Sequence, residues 1–205
     1  MLVQLKIGGA AAALALLMLV AADGRTAEAL PESVTTQLEA LCAGCPVSEA
    51  LSGELFGDDN DALVVRVYRL EPDWRAYQIA VFRREGSDDY RLIDATGLVS
   101  YNEKGEESLR VEKGSIFVAS SWPGMRVATS TTRQYRFNGD AFEQIGEERE
   151  SFFHGDTIPE PGEEEVRVST NFVTGTVIEY GPRGIRSSPG PKVRPLLRDL
   201  AEQGS

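Results

Sequence analysis

The stretch from Thr129 to Glu147, TSTTRQYRFNGDAFEQIGE, decides the fold because it predicts a β-hairpin. Tyr135 and Phe137 fall on one side of an alternating segment in which β-branched and aromatic residues are frequent, as is typical of a strand. Asn138-Gly139 supplies the positive φ angles that a tight turn between twisted strands needs, and Phe142 begins the return strand. We therefore expect this hairpin to contribute core residues to a sheet.

The same pattern occurs earlier in the chain, so the protein is expected to consist of repeated hairpins. Phe82, Gly86, Tyr90 and Ile93 are spaced like Tyr135, Gly139, Phe142 and Ile145, with one more residue in the turn. Short alternating segments at regular spacing, without strands and helices in alternation, are typical of a sandwich or barrel. The predicted fold class is all-β, an antiparallel β-sandwich of about eight strands. The predicted strands are residues 63–70, 74–84, 90–98, 115–121, 126–137, 141–149, 165–172 and 176–180.

One α-helix is expected before the strands, from Leu30 to Leu41. Pro31 suits a first helical turn, and Leu30, Val34, Leu38 and Leu41 recur at spacings of three and four, which gives a single apolar stripe. Such a stripe indicates a helix that lies on a sheet.

Residues 1–29 are expected to be a signal peptide. Lys6 lies in a short basic start, Ile7 to Ala22 is apolar, and Ala27-Glu28-Ala29 has the small residues that a signal peptidase accepts. A retained anchor is the alternative, but the apolar run is shorter than the roughly 20 residues needed to span a bilayer. The expected location is therefore the bacterial periplasm or the outside of the cell, with no membrane span after cleavage.

Length and charge limit how the remaining chain can be organised. Residues 30–181 are expected to form one sandwich domain, and residues 182–205 a Pro/Arg-rich tail that is extended or disordered up to Pro195, with a short helix from Pro195 to Gln203. The net charge of −11 argues against nucleic acid as a partner, because phosphate binding needs clustered Lys and Arg. The tail is basic, and two alternatives stay open for it: solvation, or docking on the acidic body.

Cys42 and Cys45, the two cysteines of the chain, are expected to form a structural disulfide, since oxidising compartments pair cysteines. Gly44 and Pro46 place the pair at a helix C-terminus. Thiol-redox activity is an alternative, but a depressed thiol pKa is typical of a helix N-terminus. No metal site is expected, because a zinc site needs four ligands and His154 is the one histidine.

The sequence contains little that indicates an enzyme. There is no G-x-S-x-G element, and no carboxylate pair stands out among many acidic residues, so no catalytic residue and no cofactor are predicted. Trp122, on an expected loop, is a candidate binding residue, with the covering of a sheet end as its alternative role. An enzyme should present a concave pocket with convergent polar groups and perturbed carboxylates, whereas a binding module should present an apolar or aromatic patch.

Two motifs carry a resemblance to a known family. Asn138 to Gly146, NGDAFEQIG, and Ser169 to Gly175, STNFVTG, occur in the order found in a set of exported bacterial β-sandwich proteins, with Gln144 and Val173 where leucine is usual. The chain resembles that set over residues 55–180, and through it the carbapenem self-resistance proteins, which protect the producing cell without hydrolysing the antibiotic. The resemblance implies a sandwich fold and an exported location. It does not carry the protective activity to this chain.

Asn171 and Thr174, which belong to the second motif, are candidate binding residues, although short polar residues beside a glycine more often form turns. The resulting hypothesis is an exported, non-enzymatic binding or protective module, expected to be a monomer, whose partner is an unknown protein or a small ligand of the cell envelope. The rival hypothesis is an envelope enzyme that uses thiol-redox or carboxylate chemistry.

Overall fold

The computed structural model describes residues 29–57, 61–70, 75–101, 106–153 and 164–204. Residues 1–28, all but the last residue of the expected signal peptide, lie outside the described residues. Within them, the chain forms an all-β sandwich with one α-helix, which confirms the predicted fold class. The described residues contain twelve strands rather than about eight. No described helix has the length and apolarity that crossing a bilayer requires.

The first sheet has five strands, and all of its pairings are antiparallel. The order is β1-β2-β3-β4, and β5 pairs with the half of β3 that β4 leaves open. Thr96 separates β4 from β5 and still bonds to Ile79 of β3, so the two short strands lie along one edge. The strands are β1 (Val47–Glu54), β2 (Asp61–Leu70), β3 (Arg75–Arg84), β4 (Tyr90–Ala95) and β5 (Val99–Tyr101).

The second sheet is a seven-stranded antiparallel meander in which every strand pairs with its neighbours in sequence. The hairpin expected at residues 129–147 is its centre. Its turn is wider than predicted, because Asn138 bonds to Ala141 and only Gly139 of the Asn-Gly pair has a positive φ. The strands are β6 (Glu106–Glu112), β7 (Ser115–Pro123), β8 (Val127–Phe137), β9 (Phe142–Phe153), β10 (Val166–Asn171), β11 (Thr176–Gly181) and β12 (Gly184–Pro189).

Helix α1 (Glu32–Leu41) packs on the outer face of the five-stranded sheet. Val34 and Leu38 of the predicted stripe are buried there against Val65 and Phe82. The Gln37 side chain also pairs with the edge strand β4, donating to the Tyr90 carbonyl at 2.7 Å and accepting from the Leu92 N–H at 2.8 Å. The five-stranded sheet is thus covered on both faces, by α1 and by the other sheet.

The main core lies between the two sheets. Phe142 and Tyr135 of the hairpin are fully buried there, as the alternation predicts. Every core residue from the seven-stranded sheet belongs to β6–β9, so β10–β12 extend past the region that the five-stranded sheet covers.

Residues after 181 are part of the folded body. Strand β12 extends the meander, and a 3-10 helix at Leu197–Gly204 stands where a short helix was expected. Leu197 and Leu200 of this helix are buried in the main core. Arg194 bonds to Glu143 at 3.1 Å, so the basic segment contacts acidic residues of the sandwich.

Candidate functional site

A cleft opens on the inner face of the seven-stranded sheet, just beyond the core. The floor of the cleft consists of residues that the strand register places side by side. Arg133 of β8 lies opposite Glu147 of β9, and Glu147 lies opposite Thr170 of β10. These residues share a face with Tyr135, which is buried in the core. Extension of β9 and β10 past the covering sheet therefore leaves a polar strip of the inner face open.

The cleft has a volume of about 390 Å³, which is within the range of small-molecule sites. Its walls come from three strands, the turn after β10 and the extended segment before the 3-10 helix. The lining residues are Arg133, Gln144, Glu147, Arg149, Val168, Thr170, Phe172, Pro191 and Pro195.

Three charged groups meet on the cleft floor. The carboxylate of Glu147 accepts a hydrogen bond from Arg133 Nε at 3.1 Å through Oε2 and forms an ion pair with Arg149 Nε at 2.6 Å through Oε1. The side chains of Arg133 and Glu147 are nearly buried, whereas that of Arg149 is 63% exposed. The trio carries one net positive charge in a protein whose net charge is −11.

Gln144 is the buried polar residue of the cleft, at 1% exposure. Its Nε2 donates to Glu147 Oε2 at 3.3 Å, and its backbone N–H donates to the Pro195 carbonyl at 2.8 Å. Its Oε1 is buried and has no hydrogen-bond partner in the part of the chain that the structure describes. Leaving a buried carbonyl oxygen without a hydrogen-bond partner costs about 1 to 3 kcal/mol of stability. A ligand or water that donates a hydrogen bond to this oxygen would remove that cost.

A second polar cluster lies deeper, between the sheets. Arg66 forms an ion pair with Glu49 at 2.8 Å, and the carboxyl of Glu107 lies near both Arg66 and Tyr77. Burial raises the pKa of Glu107 to about 7, against the opposing effect of the Arg66 charge. Burial, with the Glu107 charge, raises the pKa of the Tyr77 phenol above its ordinary value. Arg133 also acts electrostatically on Tyr77, so this cluster continues into the cleft.

Cys42 and Cys45 lie far from this cleft, at the C-terminal end of α1. Their sulfurs are at bonding distance and close a disulfide in the turn that follows the helix. A concave surface of about 510 Å³ surrounds the turn and includes Tyr68 and Arg69. The pair thus occupies a helix C-terminus, where the helix dipole does not stabilise a thiolate.

Trp122, Asn171 and Thr174 are not brought together. Trp122 ends β7, is 49% exposed, and is in register through Thr129 and Ser151 with the start of β10. Asn171 ends β10, so strand geometry separates it from Trp122 by roughly 20 Å. The Asn171 side chain accepts from the N–H groups of Val173 and Thr174, and Gly175 has a φ of 67°, so both motif residues form the β10–β11 turn.

Sequence reasoning selected none of the cleft's polar residues. The available signal was Gln144, a polar residue at a position where the resembled pattern has leucine. Exposed apolar residues occur elsewhere, at Trp122, Met125 and Phe152 near the far end of β7–β9.

Comparison of the chain with protein-family models, with curated proteins and with solved structures gives no match.

Proposed function

We propose that this protein is an exported, non-enzymatic binding module whose ligand occupies the cleft on the inner face of β8–β10. One observation carries the proposal: a cleft of small-molecule size has a buried amide oxygen without a partner and an exposed guanidinium on its floor. Polar groups that converge in a partly apolar concavity are typical of ligand sites. The export signal expected at residues 1–29 supplies the location in this proposal.

A concave pocket with convergent polar groups is also the feature expected of an enzyme, but the groups in this cleft suit binding better than catalysis. Glu147 accepts hydrogen bonds from Arg133 and Gln144 and forms an ion pair with Arg149, so its negative charge is stabilised and it is poorly placed to take a proton from a substrate. The carboxylate beside Arg149 and Thr170 in the cleft is that of Glu147, which these contacts already engage, so it is not available to activate the Thr170 hydroxyl. These groups hold a ligand by charge and hydrogen bonds.

An envelope enzyme is the second candidate, and Glu107 is the observation that favours it. A carboxyl with a pKa near 7 suits proton transfer at neutral pH. However, Glu107 does not line the cleft, whereas Gln144 does. A substrate held in the cleft therefore does not meet the acid, which is why binding is the preferred proposal.

The proposal is tested by measuring whether members of a ligand panel bind in the cleft. Small organic anions, cations and neutral sugars are titrated into ¹⁵N-labelled protein, and each mixture is then analysed by mass spectrometry for turnover. The proposal expects at least one class to shift the amide signals of Val168 and Thr170 without chemical change. Shifts confined to the turn of Cys42 and Cys45, or conversion of a panel member, would overturn it.

A further inference from the structure

Arg149 presents an unused edge to the cleft. Its Nε bonds to Glu147, and among the described residues its terminal nitrogens have no partner. A guanidinium edge with two parallel N–H groups matches the geometry of a carboxylate. The charge of Glu147 is already balanced by Arg133 and Arg149 together, so the site attracts an anion despite the acidic charge of the whole protein.

The acceptor of the site lies next to this edge. Arg149 and Gln144 contact opposite oxygens of the same Glu147 carboxylate, Arg149 at Oε1 and Gln144 at Oε2. Since Nε2 of Gln144 is engaged with Glu147, Oε1 is the atom that remains to accept. A ligand that satisfies both residues must carry a carboxylate and an N–H only a few bonds apart.

Apart from the Thr170 hydroxyl, the remaining lining residues of the cleft are apolar. Val168 and Phe172 come from β10 and the turn after it, and Pro191 and Pro195 come from the extended segment. They provide a surface for one aliphatic group rather than for a second charge.

We propose that the cleft binds carboxylates bearing an N–H on the adjacent carbon and an aliphatic side group, which is the chemistry of an N-acyl amino acid or of a peptide C-terminus. The carboxylate lies on the free edge of Arg149, the amide N–H donates to Gln144 Oε1, and the aliphatic group packs on Phe172 and the prolines. This inference rests on the proposed function, because it names the ligand class of the same cleft.

The test uses N-acetyl-leucine as the probe, with calorimetry as the readout. N-acetyl-leucinamide, which lacks the carboxylate, is expected to bind at least roughly 10-fold more weakly, as is 4-methylpentanoate, which lacks the N–H. A short peptide ending in leucine distinguishes the two sources: tighter binding of the peptide indicates a peptide C-terminus, and tighter binding of N-acetyl-leucine indicates a free acyl amino acid.

Variants assign the two contacts. Arg149→Gln should weaken N-acetyl-leucine at least roughly 10-fold. Arg167→Gln is the matched control, because Arg167 lies on the opposite face of β10 and bonds to Glu148 there. Gln144→Leu should weaken the binding of N-acetyl-leucine and leave the binding of 4-methylpentanoate unchanged. If Gln144→Leu does not fold, Arg149→Gln, which changes an exposed residue, still tests the contact between the cleft and the carboxylate.

Equal binding of the acid and its amide, or an Arg149→Gln variant that binds like the wild type, would overturn the inference. If another ligand class shifts Val168 and Thr170 while N-acetyl-leucine does not, only the ligand class is wrong. If no ligand of any class reaches the cleft, the proposed function fails with it.

Discussion

Glu107 shows what burial does to a single residue. Its carboxyl is drawn into the space between the sheets by Leu109, two residues further on the same face of β6, which is a core residue. Arg66 offsets only part of the cost of removing the charge from water. Protonation of Glu107 therefore becomes coupled to folding.

The predicted consequence is a pH dependence of stability. The pKa of Glu107 rises from 4.5 to about 7 on folding, so the folded state binds more protons than the unfolded state between these values. The contribution of Glu107 to stability is thus greatest below pH 4.5 and falls as pH rises to about 7. Urea unfolding at pH 5 and pH 7.5 should show that Glu107→Gln loses this decline and is more stable than the wild type at pH 7.5.

Glu112→Gln is the control, since Glu112 is on the same strand and exposed. Parallel pH profiles for the wild type and Glu107→Gln would contradict the buried position of the carboxyl.

The residues of the cleft illustrate why a site is harder to predict than a fold. Strict alternation from Phe142, as the sequence alone suggests it, would place Gln144, Gly146 and Glu148 on the core-facing side of β9. A bulge at Ile145, where Tyr135 pairs with Gln144 and Gln134 with Gly146, reverses the parity and turns Glu147 and Arg149 inward instead. One inserted residue therefore decides which charged side chains come together in the cleft, and no local sequence pattern predicts this bulge.

At the scale of elements, strands with a hydrophobic face were predictable. Strands β2, β3 and β7–β11 match their predictions within a few residues. Strand β6 was missed because its sequence, EESLRVE, is charged at most positions and its only apolar residues are Leu109 and Val111, as its position at the sheet edge allows. Strand β12 was missed because it is exposed along its whole length.

The central hairpin should tolerate little loss of volume. Phe142 is fully buried and its ring contacts those of Phe56 and Phe137. Phe142→Ala should lower the free energy of unfolding by about 3 to 5 kcal/mol, because it leaves a cavity between the sheets. Phe152→Ala, on the same strand but 41% exposed, is the control and should cost much less. Similar melting temperatures for the two variants would contradict this packing.

At the scale of the whole molecule, the basic segment completes the core. It is attached at several points: the Pro195 carbonyl accepts from Gln144, the Arg198 carbonyl accepts from Gly97 at 3.4 Å, and Arg198 pairs with Asp94 at 3.5 Å. Opposite charge favours this contact, but the burial of Leu197 and Leu200 is the larger stabilising effect. The sequence showed the charge complementarity, yet it could not show that the core had room for two more leucines.

Leu200→Ala should therefore destabilise the whole protein by about 2 to 5 kcal/mol, as expected for a buried leucine. Chemical denaturation followed by circular dichroism measures the loss. Val193→Ala is the matched control from the same segment, because Val193 is 77% exposed. A wild-type midpoint for Leu200→Ala would show that the 3-10 helix does not contribute to the core.

The burial of Leu197 in the same core as Leu55 and Val64 also sets an order of events when the protein is made. A ribosome releases Leu197 only after the strands of both sheets, so a nascent chain that has emerged up to β12 has an unfilled space in its core. Contacts of such long sequence separation form slowly. A nascent chain that still lacks this segment would thus be less stable than the complete protein, and it would acquire its full stability only once the segment had been added.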